Sequence, residues 1–408
     1  MKNILISEII KLVNCTKNMH IGDQSIVNGT GWHLYRGEYK IHTHSSEFYI
    51  LYFDSAATTL NISAAKQYLS YNPKIDRKKV HVIFAASISS LQTLQEFKRD
   101  VGGYWEAKEY VFSLMRSELE DYRNHILDLM PEDYVEPPIG TPVGIPFTNL
   151  NPLLSFFDDD SKGRLGVVLA EPGQGKTYQA RYLCAILAKK GNYPVFVSSE
   201  QWKTMSVSDL SSIWKTISHS FRFVGSPIDW IDGNEDFVIK LAIKAGLFQI
   251  IFDGFDEYMS IISRDSDVRE VISNLLDSVE NEGSKIIVTS REAFWKAEVG
   301  DSLSGDNQCS NIFMYSINPF DRNSMRKYYK KKFGSEKEIE VAMGIFNMLE
   351  KFNDVFIGRG FVMYLIAELV KKGTYDFIDI AGHAHGGIIR WLFEALCERE
   401  IGRQGLKF

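Results

Sequence analysis

Residues 165–190 read LGVVLAEPGQGKTYQARYLCAILAKK, and the chemistry in them lies in the turn EPGQGKT. Gly173 and Gly175 let backbone N–H groups converge on one point, and a helix started directly after them adds the positive end of its dipole to that point. An anion binds there. Lys176 supplies a charge that can reach β- and γ-phosphates, and the Thr177 hydroxyl can sit on a Mg²⁺ ion. The pattern is a P-loop with Ala170 where the first glycine usually stands. Glu171, Pro172, Gly173, Gln174, Gly175, Lys176, Thr177 and Tyr178 are the candidate nucleotide-binding residues.

A phosphate-binding loop needs a second half, and FQIIFDGFDEY at 248–258 supplies it. Asp253 ends an apolar strand, where its carboxylate can hold Mg²⁺ together with Thr177, directly or through water. Asp256 and Glu257 follow where a hydrolytic water would wait, so they are candidate catalytic groups that orient or deprotonate it. A third segment, KIIVTSREAFW, ends its strand in Thr-Ser-Arg. The Arg291 guanidinium can contact two phosphate oxygens at once, which makes it the third candidate catalytic residue.

The order Asp-Gly-Phe-Asp-Glu after an apolar strand differs from the adjacent Asp-Glu of ordinary AAA+ ATPases and resembles the NACHT group of the STAND P-loop NTPases. The Thr-Ser-Arg strand is similar to the STAND strand whose arginine senses the γ-phosphate. The resemblance covers residues from about 148 to 400. It implies an ATPase that uses ATP, ADP and Mg²⁺, with slow, regulatory hydrolysis. It further implies a switch held closed with ADP that opens on a trigger, binds ATP and homo-oligomerises, in bacterial antiphage or innate-immune signalling, with a protein trigger or effector as partner.

Two features modify that expectation. The family commonly carries Gly-x-Pro near the adenine, whereas Gly358, Arg359 and Gly360 stand here. Arg359 either touches nucleotide or starts a helix. His383 and His385 lie in the region that would be winged-helix-like, where the family can set a histidine against the β-phosphate; two histidines alone do not make a metal site. Such proteins usually place a sensor after that region. Here EREIGRQGLKF closes the sequence soon after a helix, so the sensor is expected in the N-terminal unit, in a partner, or in a longer chain of which this is a fragment.

The N-terminal third holds a competing chemistry. Asp23 followed by Glu38-Tyr39-Lys40 has the form of a restriction-endonuclease acid pair with Glu-x-Lys, and carboxylates so spaced can hold Mg²⁺ for phosphodiester hydrolysis. The alternative function is therefore a nucleic-acid-acting ATPase with an N-terminal nuclease. A third reading makes this unit a docking module. A basic patch or a metal would separate the last two.

The elements that must position these residues follow from patterning. Apolar strand candidates at 165–170, 194–199, 248–253, 285–290 and 312–317 alternate with helical stretches, which predicts a parallel sheet covered on both faces. The fold class is α/β: a P-loop NTPase core over 153–317, a helical and winged-helix-like region over 318–408, and a separate N-terminal α/β domain over 1–130 acting as effector, sensor or docking unit. Residues 130–152 hold six of the 11 prolines, so 131–152 reads as a linker, and a chain begun near Leu150 is expected to fold alone. In the N-terminal unit a helix at 6–16 precedes strand candidates at 32–39, 48–54 and 80–86, then a long helix at 106–130.

Composition sets outer limits. With 46 Lys and Arg against 52 Asp and Glu, the net charge of -6 gives no whole-chain reason to expect nucleic acid, and leaves room for a local basic patch. Four scattered cysteines lack metal-ligand spacing and fit a reducing cytoplasm. Glu8 and Lys11 interrupt the apolar N-terminus, and no stretch approaches 18 uncharged apolar residues, so no membrane partner is expected.

Overall fold

The computed structural model describes residues 4–16, 18–22, 24–41, 44–54, 58–85, 98–141, 151–158, 164–202, 204–206, 210, 212–223, 234–262, 268–279, 284–299, 312–351 and 357–372. Asp23 and residues 373–408, with His383 and His385, lie outside these residues.

The N-terminal strands are β1 (Met19–Ile21), β2 (Val27–Gly29), β3 (Trp32–Ile41), β4 (His44–Phe53), β5 (Val80–Phe84) and β6 (Gly103–Glu106). They form one mixed sheet of order β1-β3-β4-β5-β6, with β2 also on β3. In β4 the side chains of Phe48, Ile50 and Tyr52 enter one core and those of Tyr49, Leu51 and Phe53 another. Period-two alternation with both faces buried is why β4 reads as an unbroken apolar run. Helix Thr59–Tyr71 covers one face through Ile62, Ala65 and Leu69; helices Ile6–Cys15 and Ala107–Leu127 cover the other.

The second sheet has the order β7-β12-β8-β11-β10-β9, where β7 is Ile139–Gly140, β8 Leu165–Leu169, β9 Tyr193–Val197, β10 Phe248–Phe252, β11 Lys285–Ser290 and β12 Ile312–Ile317. All pairs are parallel except β7 with β12. From β8 the chain reaches the far edge at β9, returns through β10 and β11, and then passes to the other side of β8 as β12. The order therefore reverses at β8, and the crevice beyond its carboxyl end is where open α/β sheets bind ligands.

The two sheets share one apolar core. Helix Ala107–Leu127 buries Tyr110, Val111 and Met115 with the N-terminal sheet, and Leu119, Tyr122 and Ile126 further along in the same continuous cluster as Leu183 and Val195. The Tyr122 hydroxyl accepts from the Phe196 N–H, its ring lies 4.5 Å from that of Phe221, and Tyr193 donates to Glu120 at 2.8 Å. A half-buried ion pair, Lys244 Nζ to Glu8 Oε2 at 2.7 Å, adds a second tie. The expectation of a loosely linked N-terminal unit gives way to this packing. The proline-rich stretch also differs from a free linker, because Ile139 and Gly140 pair with Ile317 and Ser316 at the sheet edge.

Helices Arg322–Lys332, Glu336–Lys351 and Gly360–Lys372 hold a core of their own around Met325, Tyr329, Ile345, Phe346 and Ile366. Among the described residues no helix is long and apolar enough to cross a membrane.

Candidate functional site

Every candidate of the nucleotide site comes from the carboxyl ends of the parallel strands. Strands β8, β9 and β10 stop slightly short of their predicted limits while β11 and β12 meet theirs, so Ala170, Ser198 and Asp253 each fall one residue past a strand end, on the rim of the crevice. Gly173 at φ +81° and Gly175 at φ +99° carry the P-loop through left-handed backbone, which other residues enter only with strain. The helix Lys176–Lys189 starts immediately after Gly175. The loop braces itself: the Glu171 N–H donates to the buried Gln174 Oε1 at 2.6 Å.

Lys176 Nζ donates to the Ala170 carbonyl at 2.9 Å. Burial pushes its pKa down, against the raising fields of Asp256 and Asp253. Its charge is thus held near the loop by one carbonyl and the acidic residues, ready to be exchanged for phosphate oxygens.

Asp253 is buried, and its Oδ1 accepts from Thr289 Oγ1 at 2.7 Å while Thr289 Oγ1 accepts from the Gly254 N–H at 2.9 Å. Burial raises the Asp253 pKa; hydrogen bonds with Thr177 and Thr289 counter it. Thr177 and Asp253 are therefore in contact, as a shared Mg²⁺ requires. No group of three or more His, Cys, Asp or Glu side chains converges among the described residues. Mg²⁺ needs only one or two protein oxygens beside nucleotide phosphates and water, and Thr177 and Asp253 supply two.

Asp256 and Glu257 open the helix Phe255–Ile262 directly after the Gly254 turn. Arg291 Nε lies 3.0 Å from Asp256 Oδ2 and its Nη2 lies 3.8 Å from Glu257 Oε1. Burial raises the Asp256 pKa, with Lys176 and Arg291 pulling it down. Its other oxygen, Oδ1, is buried without a hydrogen-bond partner. An orphaned acceptor beside a phosphate-binding loop fits a hydrated metal or a water that comes with the nucleotide.

The remaining walls were not marked by sequence motifs. A cleft of about 930 Å³ extends from the P-loop past Ser198, Ser199, Asp253, Glu257 and Arg291 to the segment Glu132–Val135 and to Tyr328, Lys332 and Tyr364 of the helical unit. Tyr178 lines its mouth and is exposed. The Arg359 guanidinium donates to the Pro172 carbonyl at 3.0 Å and the Phe361 N–H to the Gly173 carbonyl at 2.9 Å. Arg359 also starts the helix, its carbonyl accepting from the Val362 N–H, which is one of its two expected roles, and its guanidinium meets P-loop backbone. Pro137 and Pro138, which hold their backbone extended, are the one local sign that 132–138 is a shaped wall.

The competing pair is less complete. Glu38 and Lys40 stand two residues apart on one face of β3, both exposed, with Glu38 opposite His20 of β1 and Glu47 of β4.

Residues 164–336 match the family described as the NACHT domain. No curated protein matches the chain. The match spans β8 to β12 and the whole first helix of the helical unit, ending where the second begins, with the P-loop, Asp253, Asp256, Glu257 and Arg291 inside it. The chain carries a NACHT-type P-loop NTPase domain.

Proposed function

We propose that this NACHT-domain chain is an ATP-driven switch. It binds ATP or ADP with Mg²⁺ in the cleft, hydrolyses ATP slowly, and homo-oligomerises in the ATP state, acting in innate-immune or antiphage defence in the cytoplasm. Lys176 neutralises β- and γ-phosphates, Thr177 and Asp253 hold the ion, Glu257 with Asp256 orients the water, and Arg291 senses the γ-phosphate. Bound Mg²⁺ supplies charge stabilisation at the transferred phosphoryl group.

The observation that carries the reading is the attachment of the helical unit to the phosphate-binding loop itself, through Arg359 to the Pro172 carbonyl and Phe361 to the Gly173 carbonyl. A loop that wraps phosphate and also anchors a neighbouring unit couples occupancy to arrangement. In the nucleotide-free protein the Arg291 ion pairs engage both carboxylates, so Arg291 must move to the γ-phosphate before Glu257 and Asp256 can orient water.

The test is calorimetric ATP binding together with particle mass before and after ATP. Lys176→Ala should abolish binding, and Glu257→Gln should bind normally while turning over at least about tenfold more slowly. Equal ATP affinity in Lys176→Ala would sink the nucleotide assignment, and a mass unchanged by ATP would sink oligomerisation.

A further inference from the structure

One end of the N-terminal sheet carries a local cluster of cations in a chain that is acidic overall. Lys74, Arg77, Lys78 and Lys79 precede β5, while Lys98 and Arg99 precede β6. Only Asp76 and Asp100 oppose these six cations within 74–79 and 98–100, and the Asp76 carboxylate accepts the backbone N–H of Lys78. The chain elsewhere is acidic enough to bring the net charge to -6.

Two segments distant in sequence are joined to make this face. The Gly102 N–H donates to both the Arg77 and the Val80 carbonyls at 3.0 Å, and Lys78 Nζ donates to the Arg99 carbonyl at 3.1 Å. A Cβ at Gly102 would stand 2.0 Å from the Lys78 carbonyl oxygen, so the stitch requires glycine. Lys98 Nζ is fixed 4.2 Å from the Tyr104 ring centroid. The cations are thus set on a rigid sheet end and not on separate flexible loops.

The connection that carries four of these cations into β5 starts at an exposed aromatic ring. Tyr71 ends helix Thr59–Tyr71, three residues before Lys74, and is 75% exposed. A cationic track with an exposed ring along it matches the chemistry of unpaired nucleic acid, in which phosphates meet lysine and arginine and a base stacks on the ring. A duplex offers phosphates without a free base face, and a protein partner would need an acidic surface and no ring.

We infer that this face, Lys74 to Lys79 with Lys98, Arg99 and Tyr71, binds single-stranded nucleic acid. None of these residues lines the nucleotide cleft, so the inference does not rest on the ATPase reading. It gives the N-terminal unit a ligand class, and the shared core through helix Ala107–Leu127 gives that ligand a path to the switch.

The experiment is fluorescence anisotropy of the full chain with a labelled mixed-sequence single-stranded oligonucleotide of about 20 nucleotides, titrated between about 50 and 200 mM salt. Four phosphate contacts give a log–log slope near about -3. Lys74→Gln/Lys79→Gln/Arg99→Gln should weaken binding at least about tenfold and flatten the slope by about 2. Tyr71→Ala should weaken it about fivefold to a hundredfold with the slope unchanged. Both variants should keep wild-type ATP affinity and melting temperature, which separates a lost contact from a lost fold. No binding at about 50 mM salt, binding indifferent to both variants, equal or tighter binding of the matching duplex, or capture of phosphatidylserine vesicles by the same residues without oligonucleotide binding would each overturn the inference.

Discussion

The Arg291 guanidinium spans Asp256 and Glu257, at 3.0 Å from the first and 3.8 Å from the second. Its side chain is 48% exposed while that of Asp256 is 7% exposed, so the arginine can leave at small cost and the aspartate cannot. A γ-phosphate presents the same paired oxygens with more charge. Arg291→Ala should therefore weaken ATP by about tenfold to a hundredfold and ADP by less than about threefold. Calorimetry with both nucleotides reads the difference directly; equal losses would reduce Arg291 to a structural residue.

Asp256 also predicts a pH dependence. Burial raises its pKa above the ordinary aspartate value of 3.8 despite Lys176 and Arg291. The folded protein then binds the extra proton, so the stability this group contributes is full below the ordinary value and is lost as pH rises through the folded value. At neutral pH the buried ionised form is a cost. Asp256→Asn should raise the melting temperature of the nucleotide-free protein near pH 7, and the gain should shrink as pH falls toward about 4. A lower melting temperature at both ends would mean that the pairing with Arg291 outweighs desolvation.

Strands β8 to β11 were legible in the sequence because each is buried on both faces and is mostly apolar, and β12 was legible from its apolar run although it buries only Tyr315 and Ile317. The P-loop was legible because its glycines, lysine and threonine serve one local geometry. Helix Thr59–Tyr71 was not, since it buries only Ile62, Ala65 and Leu69 and leaves Leu60 and Tyr71 exposed. Strands β1, β2 and β6, at three or four residues, are too short to show a period. The cleft wall at Glu132–Val135 was hidden for a different reason. Nothing in those residue types names a ligand, and only the tertiary fold brings them to the P-loop.

A chain begun near Leu150 should fail to fold, contrary to the expectation from the proline-rich stretch. It would lose Leu119, Tyr122 and Ile126 from the shared core and the β7 edge pairing with β12. Truncating one buried aromatic of this kind costs about 3–5 kcal/mol, against about 5–15 kcal/mol for the stability of a typical domain. Circular dichroism melts and ATP binding of the shortened chain decide it. A cooperative melt with normal ATP affinity would show that the ATPase core stands alone.

The last prediction concerns the far wall of the cleft. Asp133 is the one described residue other than glycine with positive φ, at 52°, and its Oδ2 pairs with Lys332 Nζ at 2.9 Å. The hydrogen bond to Asp133 raises the Lys332 pKa, so the pair is formed throughout the neutral range. Lys331 Nζ donates to the Tyr134 carbonyl at 2.5 Å, and the Tyr134 ring stacks on Tyr182 at 3.9 Å. Two lysines of the helical unit thus hold a left-handed turn against the P-loop helix, beyond the phosphate end of the cleft where the sugar and base must extend. Lys332→Met should weaken ATP and ADP alike, by about fivefold to twentyfold, and leave inorganic tripolyphosphate binding unchanged, because the charge-assisted contact it removes shapes only the nucleoside end. Asp133→Asn, which tolerates the left-handed backbone but lacks the charge, should reproduce that loss, and the double variant should add little to either. If tripolyphosphate weakens as much as ATP, the pair supports the fold as a whole and does not shape the nucleoside end of the cleft.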